Sequence, residues 1–196
     1  MTFPEMPKDN RIALNLRPPI KAGPEPDAWQ KVLPTDEGAL RPWSLCFGKD
    51  ADGPELIRVT GLEDPMSFFD PTVAARSRAV VAMRFHAVLF AIQSGTPVVP
   101  IANARKLDEF CEPLGIPQMP VEDPGEPLEE WVRRARESQS PEFLREITAT
   151  LSGEAWEAAT DMRERIEAAA DRTRRCRQRL RYRLGTRWRR LCNGGQ

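Results

Sequence analysis

The sequence predicts an α/β domain on a parallel sheet, followed by a helical extension. Three observations carry this. Ala79–Met83 (A-V-V-A-M) is a continuous apolar run, as a strand covered on both faces requires. Pro97–Ile101 (P-V-V-P-I) repeats that pattern. Helical stretches, Phe85–Gln93 and Ala104–Cys111, follow each run. Strand, helix, strand, helix in close succession implies right-handed parallel crossovers.

The remaining elements follow in chain order. Residues 1–10 lack periodicity and suggest a flexible N-terminus. Arg11–Arg17 (R-I-A-L-N-L-R) alternates apolar and polar residues, as a strand does, and Pro18 and Pro19 stop it. Residues 18–42 hold six prolines, with room for one helical turn near Trp29–Leu33. Ser44–Phe47 and Leu56–Val59 are short candidate strands. Asp70 is suited to cap a short helix reaching Ser77, with Pro71 at its first position. Gly95 ends the helix Phe85–Gln93. Leu114–Pro120 leads into a last short strand, and Glu126–Ser138 and Pro141–Leu151 are helices. A long helix is expected from Glu154, where Trp156, Ala159, Met162 and Ile166 form one apolar stripe. The sheet domain is thus expected over 11–151, and the long helix with its arginine-rich end over 152–196.

Composition narrows the function classes. With 40% apolar and 30% charged residues, the chain suits one ordinary core. No signal peptide is visible, and the longest apolar runs fall far short of the about 20 residues a membrane span needs. A cytoplasmic location is expected. Cys46, Cys111, Cys176 and Cys192 are scattered, with no Cys-x-x-Cys pair, and read as reduced thiols. His86 is the only histidine, so neither a structural metal nor a cofactor is expected.

The net charge of zero hides an asymmetry. Residues 172–196 contain ten arginines and no acid, leaving 19 basic against 29 acidic side chains elsewhere. Such an arginine tail most simply forms a solvated helix end. With Trp188 and Leu191 it also suits an anionic membrane surface, such as the inner membrane face. Nucleic acid is disfavoured, because no nucleic-acid fold motif accompanies the charge.

The candidate chemistry lies between Met83 and Lys106. Arg84 follows a buried strand and His86 stands in the first turn of the next helix. In open α/β sheets ligands bind beyond the carboxyl ends of the strands, where helix N-termini offer unpaired N–H groups. Arg17, at the end of another strand, and Lys106, after the following one, are placed to join the same crevice. Together they suit a phosphate or carboxylate. Arg84 could equally pair with an acid such as Asp108, and His86 could be structural.

Arg84-Phe85-His86, the apolar helix 87–93, Gly95-Thr96-Pro97-Val98-Val99 and Lys106, with Phe110 and Gly115-Ile116 behind them, resemble the second domain of polysaccharide pyruvyl transferases. Leu16-Arg17-Pro18 is similar to that domain's start. The likeness is good over residues 79–116. It departs at Asn103, where the family usually has tyrosine, and in a short proline-rich segment before the Arg-x-His strand. The resemblance implies a Rossmann-like half of a twin-Rossmann, GT-B-like architecture, with phosphoenolpyruvate as donor and a cell-surface saccharide or its precursor as acceptor. His86 and Arg84 would be catalytic, and Arg17, Arg84 and Lys106 would bind substrate. The family's N-terminal Rossmann domain has no counterpart in the sequence, so a partner chain supplying it is expected, and the chain alone would be truncated or inactive. Two rivals stand beside this reading. One is a glycosyltransferase domain binding a nucleotide sugar, against which the lack of a glutamate in Phe85–Gln93 counts. The other is a non-catalytic partner subunit.

Overall fold

The structure is a computed structural model that describes residues 6–17, 26–46, 51–62, 70 and 72–153. Its elements run β1 (Ile12–Asn15), α1 (Pro26–Val32), β2 (Leu40–Pro42), α2 (Gly53–Thr60), α3 (Thr72–Arg76), β3 (Ala79–Ala82), α4 (Phe85–Gln93), β4 (Val98–Ala102), α5 (Arg105–Cys111), β5 (Met119–Pro120) and α6 (Leu128–Ser138). Residues 141–149 are again helical. All belong to the first of two units into which the chain divides, Met1–Ala149. The second, Thr150–Gln196, lies almost wholly outside the described residues. The expected long helix from Glu154, the arginine tail, Cys176 and Cys192 fall there, and residues 1–5 of the expected flexible start are likewise outside.

The five strands form one parallel sheet in the order β2-β1-β3-β4-β5. Side chains alternate faces along a strand, and here both faces are covered. Ile12 and Leu14 of β1, Val81 of β3 and Val99 of β4 share one core with Trp29 of α1, Leu56 and Val59 of α2, and Leu128 and Val132 of α6. On β3 the alternate residues Val80 and Ala82 are equally buried, and α4, which packs on β3 and β4, contributes Ala87, Val88, Ala91 and Ile92 to the interior. This explains the unbroken apolar runs of β3 and β4.

Polar side chains tie off the open ends. Gln139 is buried, accepts from the Val98 amide (2.8 Å) and donates to the Val98 carbonyl (2.7 Å), supplying the peptide-like partner β4 lacks at its start. Trp29 donates through Nε1 to the Val121 carbonyl (3.0 Å), joining α1 to the segment after β5. Asp70 caps α3, as expected, accepting from the Thr72 amide (2.9 Å). Burial, then the Asp108 carboxylate, push the buried Cys111 thiol up to about 11, so it behaves as a small apolar filler.

Two expected strands are corrected. Leu56–Val59 belongs to α2. Leu56 and Val59 turn inward three residues apart while Ile57 and Arg58 face solvent, which is a helical period. Pro54 in the first turn and Gly61 at the C-cap, with φ of 70° and its amide bonded to the Ile57 carbonyl (2.8 Å), bracket the helix. The strand expected at Ser44–Phe47 is displaced to Leu40–Pro42 on the sheet edge, where Pro42 costs no central ladder bond. Phe47 lies outside the described residues.

Candidate functional site

In this strand order the chain leaves β1 toward β2 on one side and resumes with β3 on the other. The crevice between the carboxyl ends of β1 and β3 is therefore the topological switch point, where open α/β sheets bind ligands. Asn15 pairs with Ala82, and the Met83 amide donates to the Asn15 carbonyl (3.0 Å). The Arg17 amide donates to the Met83 sulfur (3.5 Å). Arg17 and Arg84 thus leave neighbouring strands at the same edge.

A buried polar network sets the geometry. Asp52, fully buried at the start of α2, takes four hydrogen bonds. Its Oδ1 accepts from Arg84 Nε (2.8 Å) and Nη2 (2.6 Å), and its Oδ2 accepts from the Leu45 amide (2.8 Å) and Asn15 Nδ2 (3.0 Å). Asn15 also donates to the Trp43 carbonyl (2.8 Å), and its Oδ1 accepts from the Arg84 amide (3.0 Å). Asn15 therefore clamps the backbone at which α4 begins, and Asp52 clamps the side chain. The acid that pairs with Arg84 is Asp52, not Asp108. Arg84 keeps 18% side-chain exposure above a carboxylate with none. A buried charge needs a partner of this kind, and loss of either member is costly.

The other candidates gather around Phe85. Its ring meets the Phe110 ring edge-on (5.0 Å) and the His86 ring at 74° (6.2 Å), while Lys106 Nζ lies over it at 4.1 Å from the centroid. His86 and Lys106 are exposed. The cation–π contact holds the Lys106 ammonium beside the first turn of α4. Arg17 is half-buried, and its guanidinium has no hydrogen bond or ion pair among the described residues. The structure thus places Arg17 beside Arg84, and both His86 and Lys106 against Phe85. At Asn103, the Oδ1 atom is buried without a donor among the described residues.

Sequence reasoning missed Asn15, Asp52 and Phe85. An asparagine inside an otherwise apolar strand was a signal. So was Asp52 before Gly53-Pro54, a helix start that a strand at Leu56–Val59 would exclude.

The family model for polysaccharide pyruvyl transferase matches residues 72–105. That segment runs from α3 through β3, Arg84, His86, α4 and β4 to the residue before Lys106. It contains the Arg-x-His turn but neither Arg17 nor Asp52. No curated protein and no solved structure matches the chain significantly. Among the described residues no helix is long and apolar enough to cross a membrane.

Proposed function

We propose that this domain is the donor-binding half of a pyruvyl transferase that uses phosphoenolpyruvate and acts on a saccharide. The observation that supports the proposal is that Arg17 leaves β1 beside Met83, at the β1/β3 switch point, where the Arg84-Phe85-His86 turn of the family-matched segment begins. Because Arg84 Nε and Nη2 go to Asp52, Arg84 sets the turn and adds field, while Arg17 and the α4 N-terminus take the donor's phosphate or carboxylate. Lys106, held on Phe85, adds positive charge.

In the reaction His86 delivers a proton to the CH₂ carbon of the enol, making it a methyl group. One saccharide hydroxyl bonds to the cationic carbon so formed. A second displaces phosphate there and closes the ketal. Of the two hydroxyl protons, one restores His86 and the other leaves with phosphate. Histidine is the side chain most often used for general acid–base transfer, which suits this role. The acceptor side belongs to a second Rossmann-like domain, and the protein works at the cytoplasmic side of the membrane, near lipid-linked acceptors.

A second reading, a binding subunit without catalysis, is favoured by the engagement of Arg84 with Asp52. Calorimetric titration with phosphoenolpyruvate separates the two. The donor-site reading expects weak binding by the wild type and about tenfold or greater weakening in Arg17→Ala, since a charge-assisted hydrogen bond contributes about 1.5–3 kcal/mol. No binding at millimolar ligand by the folded wild type would sink the donor site.

A further inference from the structure

We propose that the opposite, amino-terminal edge of the sheet carries a second site, for a small multivalent oxyanion of the phosphate or pyrophosphate class, formed by Arg11, Arg41 and Arg76 around Asp9. Parallel strands all begin on one edge. Arg11 immediately precedes β1, Arg76 ends α3 just before β3, and Arg41 on β2 pairs with Ala13 and reaches back to Asp9. The Asp9 amide donates to the Arg76 carbonyl (2.7 Å), and the Arg78 amide donates to the Arg11 carbonyl (2.9 Å), which stitches the two approaches together.

Charge at this point is out of balance. The single Asp9 carboxylate accepts from the Arg11 amide (3.1 Å), from Arg11 Nε (3.1 Å) and Nη2 (2.9 Å), and from Arg41 Nη2. Arg76 is exposed, with no side-chain hydrogen bond or ion pair among the described residues. Two guanidiniums thus share one carboxylate, and a third lies close enough to repel Arg41. The Arg41 side chain is only 8% exposed, and its Nε is buried with no acceptor among the described residues. Burial, together with repulsion from Arg11 and Arg76, loosens the Arg41 proton despite Asp9. Buried donors without acceptors call for a missing partner. The neighbouring groove along α6 lacks this excess, because Arg78 and Arg133 are paired with Glu129, Glu130 and Glu137. An excess of neighbouring guanidiniums over carboxylates suits a compact anion with several oxygens and more than one negative charge.

The test is calorimetric titration of the full chain with inorganic phosphate and pyrophosphate at low salt. Binding is expected in the wild type, and a fivefold or greater weakening in Arg76→Ala, whose exposed side chain leaves the fold intact. Arg41→Gln weakens binding further if it folds. Arg17→Ala removes only the contribution of the crevice at the other edge, so the two sites fail separately. The proposal is overturned if the wild type does not bind, if Arg76→Ala binds like the wild type, or if Arg17→Ala abolishes all binding. Phosphatidylglycerol vesicles, whose phosphodiesters carry one charge each, should sediment the wild type and Arg76→Ala alike. Sedimentation that depends on Arg76 would overturn assignment to a small ion.

Discussion

The two edges of the sheet use one pairing, arginine on aspartate, to opposite ends. At the carboxyl edge Asp52 is fully buried, and its four hydrogen bonds close one guanidinium, one side-chain amide and one backbone amide into a finished network. At the amino edge Asp9 is partly exposed and shared by two arginines, with a third beside them. A carboxylate matched to one guanidinium in a dry site locks a loop. A carboxylate with too many partners near solvent leaves charge over for a ligand. The energetic consequence of the pair is set by its surroundings rather than its chemistry.

The largest test of that contrast is Asp52→Ala. It removes the buried carboxylate that Arg84, the Leu45 amide and Asn15 Nδ2 share, so a loss of about 3–5 kcal/mol is expected, the range for breaking a buried pair from one side. Denaturant midpoints measure it. A loss under about 1 kcal/mol would mean that water reaches the network and that Arg84 is not locked.

A smaller effect, confined to acid, is expected from Asp9→Asn. Burial alone would raise the Asp9 carboxyl, but bonds from the Arg11 amide and side chain and the charges of Arg41 and Arg11 bring it below its ordinary value. A depressed carboxyl contributes stability that is fully present above the unfolded-state pKa and is lost as pH falls through the folded value. Urea midpoints taken from about pH 6 down to about pH 3 should therefore fall less steeply in Asp9→Asn than in the wild type. Parallel curves would show that Asp9 gains nothing from its arginines.

The edges also differed in how legible they were from sequence. The runs Ala79–Ala82 and Val98–Ala102 announce buried parallel strands, because no amphipathic pattern competes with them. Arg84 and His86 were visible because they directly follow such a run. The acid that holds Arg84 was not, since Asp52 lies 32 residues away and only the fold brings them together. Leu56-Ile57-Arg58-Val59 is too short to separate a period of two from one of 3.6, and the punctuation at Pro54 and Gly61 would have decided it. Leu40-Arg41-Pro42 hid as a strand because a charge and a proline are tolerated only at an edge. With β2 hidden, the arginine cluster beside it was hidden too.

His86→Ala should give the smallest effect on the folded chain, and for that reason it discriminates. The ring is exposed and contributes no core area, so stability should shift by no more than about 0.5 kcal/mol. Phosphoenolpyruvate binding should also stay level, because the proposed role is to deliver a proton during the reaction rather than to hold the donor beforehand. In a reconstituted two-domain assembly the same change should lower kcat with KM little altered. Arg17→Ala should do the reverse, raising KM first. If instead His86→Ala weakens donor binding as much as Arg17→Ala does, the histidine is a ligand of the anion. Proton delivery would then have to be sought elsewhere around the crevice, and the division of labour drawn here between Arg17 and His86 would fall.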